Sequence, residues 1–200
     1  GVQAQGAASM VQAVADKKLE SLEEVHTFAD GIAVKSPGNL SYEMVREYVD
    51  ELVTVSDDEI AAAILTLMEK QKIVSEGAGA VSVAAVLFNK LPLKGKKVVC
   101  IISGGNIDVN ILSRVISRGL LKTGRKASLT LSLLDKPGQL EEVSRIIAEL
   151  GANVTKVDHN MNVEDSDING CYLTLRIETR DFKHIEEIKK RFREEGFLLV

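Results

Sequence analysis

The strongest constraint on the fold is the alternation of side-chain periods in the C-terminal residues. Leu129, Leu131 and Leu133 alternate with Thr130, Ser132 and Leu134 in the manner of a strand, and Asp135-Lys136-Pro137-Gly138 stops it. Leu140, Val143, Ile146, Ile147 and Leu150 then recur at helical spacing up to Gly151, a residue suited to a helix end. Residues 153–161 are expected to be extended, and Cys171, Leu173, Leu175 and Ile177 alternate with polar or charged neighbours, with an acidic loop over 164–170 between the two. Phe182, Ile185, Ile188 and Phe192 mark a second amphipathic helix, and residues 197–200 a final strand. The order β-α-β-β-α-β is the split βαβ arrangement of a ferredoxin-like domain.

The preceding residues read as a different, α/β unit. Residues 2–4 read as the end of a strand with no partner of its own, and 6–14 as helix-compatible. A helix is expected over 41–50, with Ser41 as N-cap and an apolar stripe of Met44, Val45, Tyr48 and Val49, followed by a strand at 52–55. Ser56-Asp57-Asp58-Glu59 has capping-box spacing and opens a helix to about residue 70. A buried helix over 77–88 begins with Gly77, Ala78, Gly79 and Ala80, small enough for close approach. The β-branched run 97–102 reads as a central parallel strand, and Asp108 caps a helix carrying Ile111, Leu112, Val115 and Ile116 as far as Gly119. Residues 121–127 carry three cations and a glycine and read as an exposed connection. The expected division is therefore 1–121, a linker 122–127, and 128–200.

Composition narrows the function. Lys and Arg number 25 against 29 Asp and Glu, giving a net charge of −4, so a broad cationic surface for nucleic acid is disfavoured. Aromatics are 4% and tryptophan is absent, which also argues against stacking on bases. The apolar stretch 77–89 is too short to cross a bilayer, and no basic-then-apolar segment marks a secreted chain. Cys100 and Cys171 lie far apart without CxxC or CxxH spacing, so no disulfide framework or thiolate zinc site is expected and a reducing cytoplasm fits best. His26, His159 and His184 are scattered and read as structural or surface residues, Cys100 reads as core, and no metal site is expected. A first residue of Gly rather than Met suggests a piece of a longer polypeptide.

Ser103-Gly104-Gly105-Asn106-Ile107-Asp108 follows an apolar run and precedes a helix, where glycines expose backbone N–H groups to an anion or cofactor, or simply make a tight turn. It is neither GxGxxG nor GxxxxGK[ST]. Four ordered phrases resemble the threonine dehydratases, also called threonine ammonia-lyases: Ala29-Asp30-Gly31-Ile32-Ala33-Val34, Ser36-Pro37-Gly38-Asn39-Leu40, Ser75-Glu76-Gly77-Ala78-Gly79-Ala80 and Ile102 through Asp108. Leu134 through Leu140, with Leu150-Gly151-Ala152-Asn153-Val154, resembles an ACT regulatory domain. Serine dehydratases and serine racemases share most of the catalytic-side phrases.

The resemblance implies a fold-type II pyridoxal phosphate enzyme that converts L-threonine to 2-oxobutanoate and ammonia, with L-serine as the alternative substrate. It implies cofactor contacts from Ser103 (to the pyridine nitrogen), Gly104, Gly31 (backbone against the ring) and Glu76. Glu76 reads equally well as a carboxylate near a helix N-terminus. No phrase of the Ser-x-Lys-x-Arg type carries a Schiff-base lysine and no Gly-rich phosphate loop is present, so the chain alone is expected to be inactive. The positions matching a relative's divalent-cation site are Gln3 and Ser9, which do not suit it. In the ACT unit the loop 135–138 leads into a helix whose N–H groups suit an amino-acid carboxylate, with Gly138 and Asn153 as effector contacts and isoleucine or valine as effector. A turn-making Pro-Gly and a strand-initial Asn are the plainer reading. Exposed sheet edges and the ACT resemblance imply a homo-oligomer. The other readings are a stand-alone amino-acid-binding module and a serine dehydratase or racemase relative.

Overall fold

Val2–Ala4 (β1) pairs in parallel with Val53–Val55 (β2), Val2 opposite Val53 and Ala4 opposite Val55, so the opening strand does have a partner. The computed structural model describes residues 1–161 and 169–200, which form two compact units, Gly1–Lys122 and Thr123–Val200. Residues 164–168 of the expected acidic loop lie outside the described residues.

In the first unit the helices are Ser9–Asp16 (α1), Asn39–Tyr48 (α2), Asp57–Thr66 (α3), Gly77–Leu87 (α4) and Val109–Lys122 (α5). Helix α2 starts earlier than expected: Gly38 rather than Ser41 is its N-cap, and Tyr42 is its buried residue while Met44 and Tyr48 of the expected stripe are exposed. The capping box forms as its spacing requires, with Glu59 N–H donating to Ser56 Oγ at 3.3 Å and Ser56 N–H to Glu59 Oε2 at 2.8 Å. Helix α3 passes into a π-helical turn, Leu67–Gln71, that ends at Lys72 with φ 60°.

Small residues let this unit close tightly. Ala61, Ala62 and Ala63 of α3 and Ala80, Ala84 and Ala85 of α4 are buried with Ile60, Ile64, Val55 and Val115. Gly119 does not end α5, which runs on to Lys122. Its lack of a side chain serves packing instead, because a Cβ there would stand 3.1 Å from the Ala61 carbonyl and from Leu65.

Residues 97–102 differ most from expectation. They form no strand, and Val99 is 90% and Ile101 76% exposed. A strand exists only through a ladder partner, and β1–β2 is a two-stranded sheet that does not reach them. Their ties run to α4 instead, where Ser82 Oγ donates to the Ile101 carbonyl at 2.9 Å.

The second unit has the order Lys126–Leu134 (β3), Gln139–Glu149 (α6), Asn153–Asn160 (β4), Gly170–Glu178 (β5), Phe182–Glu194 (α7) and Leu198–Leu199 (β6). The antiparallel sheet runs β4-β5-β3-β6. Leu129, Leu131 and Leu133 of β3 and Cys171, Leu173, Leu175 and Ile177 of β5 face one core with Val143, Ile146 and Ile147 of α6 and Ile185, Ile188 and Phe192 of α7. Each large apolar side chain so removed from water contributes about 1.5–3 kcal/mol. Asp181 caps α7 by accepting from His184 N–H at 2.8 Å. His184 is itself buried: its Nδ1 accepts from Arg180 N–H at 3.1 Å, leaving Nε2 to donate to the Leu150 carbonyl at 2.9 Å, a structural role.

Candidate functional site

Two small hydrogen bonds assemble the glycine-rich segments of the first unit. Glu76 N–H donates to the Gly104 carbonyl at 3.1 Å, and the buried Ser75 hydroxyl lies 3.2 Å from the same oxygen. The turn before α4 and the turn after residue 102 therefore lie against one another. Absent side chains make this contact: a Cβ on Gly79 would meet the Gly104 carbonyl at 2.8 Å, and one on Gly105 the Val74 carbonyl at 2.9 Å. Ser75 holds both turns, yet alone in the sequence it is one polar residue before a helix. Only the neighbouring Gly-x-Gly hinted at so close an approach.

Glu76 stands at the centre of this arrangement. It is the N-cap residue of α4, but its side chain makes no capping bond. Its carboxylate lies against Gly104, whose Cβ would come within 2.7 Å of the carboxyl carbon, and 3.8 Å from where a Gly31 Cβ would stand. Gly31, in the 3-10 turn Asp30–Ile32, also abuts Ala78. Three of the sequence-derived residues, Gly31, Glu76 and Gly104, thus converge from segments far apart in the chain. Ser103 adjoins them and is exposed, as is Gly31. The arrangement suits pyridoxal phosphate, since two side-chain-free backbone stretches can meet a flat ring, beside a hydroxyl able to bond a ring nitrogen and a carboxylate. Gln3 is otherwise engaged, its Oε1 accepting from Val11 N–H at 2.8 Å, and Ser9 is buried.

In the second unit Gly138 (φ 94°) precedes α6 with open space where a Cβ would be, and it lines a cavity of about 230 Å³. Leu133, Leu140 and Leu173 give that cavity apolar walls, and Asp135, His159 and Cys171 give it polar ones. Asn153 is not there. It begins β4, opposite Glu178, and its Nδ2 donates to Glu178 Oε2 at 3.1 Å, whereas His159 lies near the other end of the same strand.

The grouping of Asp135, His159 and Cys171 escaped sequence reasoning. One donor atom from each lies within 4.8 Å of the others, and His159 Nε2 is 3.8 Å from Asp135 Oδ1. No spacing along the chain announces this, because β4, β5 and the end of β3 bring the residues together. Burial, and then the nearby Asp135 carboxylate, push the Cys171 thiol above its ordinary pKa.

Comparison with known proteins gives these features a setting. Over 197 residues, 98% of this chain, the sequence is 50% identical to an L-threonine ammonia-lyase of Thermotoga maritima, and over 199 residues it is 39% identical to one of Geobacter sulfurreducens. The chain spans about half the length of these curated relatives, 49% and 50% respectively. Among solved structures, the processed form of threonine deaminase isoform 2 from Solanum lycopersicum superposes with a TM-score of 0.54 at 34% identity, over 59% of this chain and 35% of that one. Maize serine racemase superposes with a TM-score of 0.51 at 30% identity, over 58% and 38%. Residues 1–104, which contain the converged glycines, Glu76 and Ser103, match the family described as pyridoxal-phosphate dependent enzyme. The chain belongs to the pyridoxal-phosphate dependent enzymes.

Proposed function

We propose that these residues form part of a threonine ammonia-lyase that deaminates L-threonine to 2-oxobutanoate and ammonia, the first unit supplying one wall of the cofactor site and the second an ACT regulatory domain of ferredoxin-like topology. The observation that carries this reading is the 50% identity to an L-threonine ammonia-lyase, which extends over 98% of the chain and so through both units. Pyridoxal phosphate, when bound, draws electrons from the bonds at the substrate's Cα. Gly31 and Gly104 would offer bare backbone to the ring, and the Ser103 hydroxyl would donate to the pyridine nitrogen without forcing a proton on it. Glu76 holds a carboxylate at the edge of that surface, close to the positive end of α4.

For the second unit, the β-α-β-β-α-β order and the cavity beside Gly138 support binding of a branched amino acid. Its carboxylate meets the first N–H groups of α6 and its side chain the walls of Leu133, Leu140 and Leu173. Asn153, distant from that cavity in one chain, contributes only if a second copy pairs with the first, which is how the proposed homo-oligomer enters the reading.

The test joins this chain to the half of the Thermotoga maritima enzyme that it does not match. The cofactor-loaded hybrid is expected to release 2-oxobutanoate from L-threonine faster than pyruvate from L-serine, and Ser103→Ala and Gly104→Val to lower the rate. The 200-residue chain by itself is expected to release neither product. Racemisation or deamination of serine alone points to the serine racemase and dehydratase relatives instead. A folded, loaded hybrid inert to both amino acids overturns the lyase reading, and saturable isoleucine binding by that same chain favours a stand-alone amino-acid sensor.

A further inference from the structure

We propose that Asp135, His159 and Cys171 bind one divalent, borderline-soft transition-metal ion of the zinc type in the cavity beside Gly138. Imidazole, thiolate and carboxylate are the donor set such ions prefer, and three protein donors with one position left for water is a common arrangement. Here each donor comes from a different strand or strand end, so the sheet sets their separation. Directly opposed residues of an antiparallel pair share a face. His159 opposes Leu173 and Cys171 opposes Leu133, which puts both on the helix-covered face, and Asp135 follows β3 two residues beyond Leu133.

The dimensions suit a small ion. Tetrahedral zinc at roughly 2.0–2.3 Å from its ligands sets them about 3.5 Å apart, and the 3.8 Å from His159 Nε2 to Asp135 Oδ1 is already close. Those two side chains are about half exposed and already paired, while Cys171 is held in the core wall. The cavity of about 230 Å³ leaves room for the ion and its water. Charge also fits, because a thiolate and a carboxylate neutralise a dication. Since the thiol must lose its proton, binding strengthens as pH rises.

Cobalt(II) is the probe, since its bond to a thiolate absorbs in the near ultraviolet. Titration of the reduced 200-residue chain is expected to give this band at one equivalent, and zinc to displace it. Cys171→Ser is expected to lose the band. His159→Ala and Asp135→Asn, which change exposed side chains and spare the core, are expected to weaken cobalt binding by at least about tenfold, with His26→Ala as an unaffected control. No band at large cobalt excess, or equal affinity in all variants, overturns the site. The metal site does not depend on the amino-acid reading: both ligands would enter one cavity, so isoleucine is titrated into separate, metal-free samples, and either reading can fail without the other.

Discussion

Ser56 and Glu59 show how much a single hydrogen-bonding pair determines. Two of the orphan N–H groups at the start of α3 are satisfied by one reciprocal exchange, so Ser56→Ala is expected to cost about 1 kcal/mol, read as a lower denaturant midpoint at unchanged slope. Glu59 carries more, because its Oε1 also meets Lys90 Nζ at 2.8 Å. Burial pushes the Glu59 carboxyl upward, but the Lys90 ammonium and the Ser56 N–H together outweigh it and hold the carboxyl below its ordinary value. A carboxylate depressed in the folded state stabilises the protein above its unfolded value, about 4.3, and that stabilisation is lost as pH falls through the lower folded value. Glu59→Gln keeps the capping box but loses the Lys90 ion pair, and is therefore expected to destabilise the chain at neutral pH by about 1 kcal/mol and to flatten its acid limb. An acid limb identical to that of the unsubstituted chain would show that Glu59 has no such role. The capping box was legible in four consecutive letters; the Lys90 partner was not, because only the packing of α4 beside α3 delivers it.

At the scale of elements, two left-handed glycines of the second unit make contrasting predictions. Gly124 (φ 69°) is enclosed: a Cβ would stand 2.5 Å from Phe182 N and 2.8 Å from the Phe182 ring. Gly138 (φ 94°) has open space around it. Gly138→Ala is expected to cost about 1–2 kcal/mol through backbone strain alone, and Gly124→Ala clearly more, since collision adds to strain; thermal denaturation of the two variants compares them. Helix α5 offers a parallel case, where Gly119→Val forces α3 and α5 apart at a cost of about 1–3 kcal/mol. The strand expected at 97–102 teaches the converse. Val98, Val99 and Ile101 carry strand propensity, but propensity supplies no partner, and the exposed run shows that pairing rather than composition decides a strand.

For the molecule as a whole, two separate cores predict separable stability. Leu131, fully buried in the second core, is expected to cost about 2–5 kcal/mol when replaced by Ala, and Ser56→Ala acts on the first. Scanning calorimetry should resolve two transitions, the former substitution lowering one and the latter the other; a single transition moved by both would mean the units unfold together. No helix among the described residues is long and apolar enough to cross a membrane. Periodicity and local chemistry, read from the letters alone, determined the elements of the second unit, the capping box and the family phrases, because each depends on neighbours within a turn or on strict alternation. Tertiary structure decided the rest: the parallel pairing of β1 with β2, the exposure of 97–102, the convergence of Gly31, Glu76 and Gly104, the distance of Asn153 from Gly138, and the meeting of Asp135, His159 and Cys171. Each of these depends on which elements pack and pair with one another, which no local period encodes.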